Sequence, residues 1–166
     1  MKNIFFGLAI IGWLIAMIVH LLSIVNFDIW NRFPYIWVLH VGVFVVWIPA
    51  IISLMRNKEL KDYGSLWGNP FYFLKIILRQ IPKWFIVIVA LGFIYTFISS
   101  VIYAASNIGM TDIVNGEYVL QEHGDIVKNL TEQEYHSYNS SQLRYFSGGW
   151  MVFYSVGIIL LYPKKE

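Results

Sequence analysis

The chain has 166 residues, of which 58% are hydrophobic and only 13% charged, with a net charge of +2 and no cysteine. A soluble domain carries about 25% charged residues, so one core of this size cannot hide all the apolar surface present. The same figures exclude a disordered chain, a basic nucleic-acid-binding domain and a disulfide scaffold.

The expected class is therefore an all-α integral membrane protein with the lipid bilayer as solvent: a four-helix transmembrane bundle with a small extracytoplasmic β-hairpin. A spanning helix needs about 20 mostly apolar residues to cross about 30 Å of hydrocarbon. The first such run, Ile4 to Val25, contains no Asp, Glu, Lys or Arg. Lys2 ahead of it imitates a secretory signal, but a signal core has only about 7 to 15 apolar residues, so the run is read as the first span. Gly12, Ala16, His20 and Ser23 form a small or polar stripe suited to close helix packing. Residues 26–33 make a tight outer turn, and the second span, Pro34 to Met55, returns antiparallel beside the first. Pro49 within it removes a backbone donor and predicts a bend.

The next connection runs from Arg56 to Lys83. Asn69 followed by Pro70 reads as an N-cap and first-turn proline, predicting a helix over 70–81. Lys75, Arg79 and Lys83 recur every four residues on one side of it. This pattern predicts an amphipathic helix in the inner interface, its cations at lipid headgroups; a basic docking surface for a cytoplasmic partner is the alternative. No glycine-rich phosphate loop is present. The third span, Trp84 to Ala105, carries Gly92, Thr96, Ser99, Ser100 and Tyr103 at helical spacing, a stripe for helix contacts or, alternatively, for a solute path.

Residues 106–144 form the outer segment. Asn115-Gly116 is a turn pair, and the β-prone runs Glu117 to Glu122 and Asp125 to Leu130 flank His123-Gly124, which predicts a hairpin. Thr131 and Glu134 have capping-box spacing and predict a helix from Glu132. With no Gly or Pro before Gly148, that helix should continue into the fourth span, Tyr145 to Tyr162. An isolated hairpin is barely stable in water, so it is expected to pack on the helix, the membrane surface or another chain.

Orientation follows from Lys and Arg, which are retained on the cytoplasmic side. With both termini inside, nine of the twelve are cytoplasmic: Lys2, Arg56, Lys58, Lys61, Lys75, Arg79, Lys83, Lys164 and Lys165. Only Arg32, Lys128 and Arg144 lie outside. Trp30, Tyr35, Trp37 and Trp150 are expected at the outer interface, Trp67, Trp84 and Tyr162 at the inner one, and Trp13 and Trp47 deeper between helices. The acceptor patterns at Asn129 and Asn139 are read as incidental, and a bacterial inner membrane is the expected location.

His20 and His40 fall at matching depths on adjacent antiparallel spans. Two facing imidazoles can hold a b-type haem through its axial positions or share a metal ion, although interhelical hydrogen bonding is the commoner use of such a residue. Outside, His123, Asp125, Glu132 and His136 offer metal-ligating side chains without an established ligand signature. Neither a nucleophile elbow nor an H-E-x-x-H motif occurs. The leading expectation is a non-catalytic protein without cofactor that binds another protein, or a second copy of itself, through Tyr118, Leu120, His123, Asp125 and Tyr135. An accessory subunit or a toxin-neutralising immunity protein would act in this way. A haem protein using His20 and His40 is the rival, and a small channel or transporter the third class.

Overall fold

A computed structural model describes residues 2–27, 29–57, 59–60, 70–79, 81–106 and 109–163. In chain order these form α1 (Lys2–Ile24), α2 (Ile29–Arg32), a 3₁₀ turn (Pro34–Trp37), α3 (Val38–Met55), α4 (Pro70–Leu78), α5 (Lys83–Ser106), three strands, and α6 (Glu132–Leu161). Four of the helices are long and apolar enough to cross a membrane: α1, Pro34–Met55, α5 and α6.

Three of them share one core, and their buried positions explain why. Ala9, Gly12, Ala16, Val19, His20 and Ser23 recur three or four apart on α1. Leu39, Val43, Val46 and Ala50 do so on α3, and Leu143, Ser147, Trp150, Tyr154, Gly157 and Leu161 on α6. Such spacing makes one stripe per helix. The small residues let the backbones approach closely. Tyr154 lies at the centre of this core, 2% exposed, its hydroxyl donating to the Leu39 carbonyl at 2.8 Å. A Cβ on Gly12 would run into its ring and one on Gly42 into its hydroxyl.

The fourth long helix is attached differently. α5 packs chiefly on α6, and no residue of its most apolar stretch is buried. The expected four-helix bundle is thus a three-helix core with α5 leaning on one member, leaving Leu91, Phe93, Phe97, Ile98 and Val101 exposed. Hydropathy does not single out α5, because α1 and Pro34–Met55 are about as apolar; only α6 is markedly less so.

Trp150 also departs from expectation. It is 2% exposed and packs within the core, because it falls on the core stripe of α6 three residues after Ser147. Trp30 and Trp37 pack edge to face at 5.4 Å in the connection between α1 and α3. α4 begins at Pro70 as predicted but ends at Leu78, since Ile81 precedes Pro82 and a residue before proline disfavours helical geometry. Asn69 and Trp67, expected as cap and interface anchor, lie outside the described residues.

The predicted hairpin forms and gains a third strand. β1 (Met110–Val114), β2 (Glu117–Glu122) and β3 (Asp125–Asn129) make an antiparallel sheet in the order β1-β2-β3. Both turns are two residues long with positive φ at both positions, Asn115 at 53° and Gly116 at 86°, then His123 at 52° and Gly124 at 94°. That geometry matches the right-handed twist of the strands. A register shift falls between Leu120 and Gln121. Thr131 caps α6 with the expected capping box, which contributes about 1 kcal/mol.

Each strand is tied to α6. The Thr111 hydroxyl on β1 donates to Asn139 Oδ1. Tyr118 on β2 packs on Tyr135 with ring centroids 4.7 Å apart, and Lys128 on β3 reaches Glu134 at 2.7 Å. The support that an isolated hairpin would seek elsewhere therefore comes from this chain.

Candidate functional site

The described polar side chains concentrate where α1, α5 and α6 meet, near the sheet end of the core. His20 is buried, with Nδ1 3.0 Å from Ser147 Oγ and Nε2 2.9 Å from the Tyr95 hydroxyl. Ser147 donates its own proton to the Arg144 carbonyl, so it accepts from His20 Nδ1–H. Tyr95 then donates to His20 Nε2, which fixes the neutral tautomer. Ser23 donates to the His20 carbonyl at 2.6 Å, and Arg144 Nη2 donates to the Ser23 carbonyl at 2.8 Å. A closed ring of hydrogen bonds thus joins α1 to α6, with Tyr95 holding α5 against it.

Arg144 is the one cation in this ring. Its Nε is buried without a hydrogen-bond partner, and among the described residues no carboxylate lies within ion-pair distance of it. It borders a cavity of about 300 Å³ between α5 and α6, lined also by Tyr95, Ser99, Ile102, Tyr103, Ser141 and Tyr145. Two of these lining residues, Tyr103 and Tyr145, stack on each other at 4.9 Å.

His40 belongs to another environment. Trp150 donates its indole proton to His40 Nδ1 at 3.1 Å, so the imidazole proton resides on Nε2. His40 lines an apolar groove of about 520 Å³ with Phe44, Trp47, Phe146 and Phe153 among its walls. The two histidines expected to face one another thus engage different partners. A haem held between them would have to displace Tyr95 or Ser147 from His20.

On the sheet, His123 and Asp125 are exposed, Tyr118 and Tyr135 are half-buried against each other, and Leu120 is buried within the structure. His123 Nδ1 lies 3.9 Å from Glu122, and His136 Nε2 lies 3.8 Å from Glu132. The two histidines therefore pair with different carboxylates. Lys128 and the Thr131 cap hold the Glu134 carboxyl at about 2, well below its ordinary value, and Glu134 in turn raises the Lys128 ammonium. Lys75, Arg79 and Lys83 are exposed, and Arg79 pairs with Glu59 at 3.0 Å.

The sequence reading did not connect Arg144 with Ser23 or His20. One signal was present: a cation immediately before an uncharged run and on the same helical stripe as Ser140 and Ser147, since positions three or four apart share a face. Its partners on α1 lie more than a hundred residues away in the chain and have no local signature. No protein family, curated protein or solved structure matches this chain.

Proposed function

We propose that the protein is an integral membrane protein, both termini cytoplasmic, that presents its sheet on the outer side as a non-catalytic binding platform for another protein. The observation that carries this reading is the free edge of β3. All five of its residues are exposed, and Ile126 and Val127 each keep 51% of their surface open. A strand edge left open beside apolar side chains is a template for an added strand. Edge strands are often guarded by an outward lysine, but Lys128 is turned onto Glu134. The ties to α6 hold the edge rigid, so little ordering cost opposes association.

Orientation is tested by single cysteines at Glu117 and Glu59. An impermeant maleimide should label only the first in intact cells, and equal labelling overturns the placement. The partner reading is tested with a photo-crosslinking residue at position 126 or 127. One discrete adduct is expected, absent when the crosslinker is moved to 117 and lost when the other edge residue is changed to lysine. Adducts independent of position would refute the reading, as would no adduct with the protein correctly inserted.

A further inference from the structure

We propose that the cavity beside Arg144 is a binding site for an oxyanion, the phosphate of an anionic lipid headgroup or of a small soluble phosphate compound. The site stands apart from the β3 edge and shares with that reading only the placement of α5 and α6 in a bilayer.

A guanidinium always carries its charge and offers five donors in a fixed fork. In Arg144 one arm is committed to the Ser23 carbonyl, while Nε is buried and unpartnered. A carbonyl accepts a hydrogen bond but does not neutralise charge. A half-buried guanidinium with no described carboxylate within ion-pair distance is left to a counter-anion for charge balance.

The cavity supplies what such an anion needs. Ser99 and Ser141 are among its lining residues, and serine hydroxyls are donors that suit phosphate oxygens. Their helices, α5 and α6, bring these groups to the level where the apolar span Tyr145 to Tyr162 begins. That level corresponds to the outer headgroup boundary, within reach of both a lipid phosphate and an aqueous one. Arginine is the favoured side chain for such groups, because two of its N–H bonds can point at two oxygens together. The volume of about 300 Å³ accommodates a phosphate with part of its substituent.

The test uses the full-length protein purified in a non-ionic detergent and titrated separately with short-chain phosphatidylglycerol, short-chain phosphatidylcholine and inorganic phosphate. Thermal unfolding is the readout, since a ligand bound only by the folded state raises the midpoint in a saturable manner. Stabilisation by phosphatidylglycerol alone assigns the site to a lipid headgroup, and stabilisation by inorganic phosphate as well assigns it to a soluble oxyanion; both support the proposal. Arg144→Gln should weaken the effect at least tenfold, the loss of a charge-assisted hydrogen bond, and Arg144→Lys should restore part of it. Because Arg144→Gln also breaks the bond to Ser23, a second variant, Ser99→Leu with Ser141→Leu, fills the cavity and leaves that bond in place. It should also lose at least tenfold in affinity. Neither ligand shifting the midpoint, or a shift unchanged in the filled variant, overturns the proposal, as does equal stabilisation by phosphatidylcholine.

Discussion

Gly42→Ala should destabilise the protein, and removing a single oxygen from another helix should reverse the effect. A Cβ on Gly42 would collide with the Tyr154 hydroxyl, whereas the ring carbon bearing that hydroxyl is 3.6 Å away, an ordinary contact. Overpacking a core costs about 1 to 3 kcal/mol. Displacing the hydroxyl from the Leu39 carbonyl adds about 1 kcal/mol, and alanine's better helix propensity offsets about 1 kcal/mol. The expected net loss is about 1 to 3 kcal/mol. In the Tyr154→Phe background the obstacle is gone and only the propensity term remains, so Gly42→Ala becomes neutral or stabilising by up to about 1 kcal/mol. Gly12 supplies the control: its Cβ would meet ring carbons Cε1, Cζ and Cδ1, which phenylalanine retains, so Gly12→Ala stays destabilising in both backgrounds. Equilibrium unfolding in mixed micelles with increasing denaturing detergent measures the cycle. A Gly42→Ala effect equal in the two backgrounds to within about 0.5 kcal/mol would refute the packing described for Tyr154.

Two further outcomes concern the sheet. Glu134 titrates lower in the folded protein, at about 2, than its ordinary value of 4.5, so its stabilising effect is complete above that ordinary value and disappears as the pH falls toward about 2. The stability difference between wild type and Glu134→Gln should be constant near neutrality and shrink through that acidic window; a difference independent of pH contradicts the Lys128 and Thr131 contacts. His123 adopts a φ of 52° in its turn, a conformation asparagine tolerates better. His123→Asn should therefore stabilise the protein by several tenths of a kcal/mol, up to about 1, measurable as a raised unfolding midpoint, and a lowered one would count against this turn geometry.

Local chemistry was the legible part of this fold. Thr131 and Glu134 announce the start of α6 because both partners of the capping box lie three residues apart, and His123-Gly124 marks the turn between β2 and β3 because a two-residue link with glycine joins two β-prone runs. The Asn115-Gly116 turn was visible as well. β1 itself was not assigned, since Met110 to Val114 is too short and too broken by Asp112 to show a strand pattern alone. Pairing with β2 supplies what propensity does not. Hydropathy located the four long helices but not their arrangement, because lipid and a neighbouring helix are equally apolar surroundings. The separation of His20 from His40 was hidden likewise: matching depth says nothing of rotation about each axis, and Ser147 and Trp150 on α6 determine which way the two imidazoles turn. Arg144 shows the same limit, as its role depends on Ser23 across the molecule.

The thirty uninterrupted residues of α6 measure about 45 Å end to end, against about 30 Å of hydrocarbon. One shaft therefore carries the sheet at one tip and Leu161 at the other. Gly148, midway along, is tied to α5 by the Thr96 hydroxyl, which donates to its carbonyl at 3.5 Å. A load that tips the sheet by about 5° around the midpoint would swing the opposite tip by about 2 Å, comparable to the small helix shifts that operate molecular switches. Motion of the sheet thus has a direct route to the far end of this helix, a lever whose fulcrum is the ring of hydrogen bonds between His20 and Arg144.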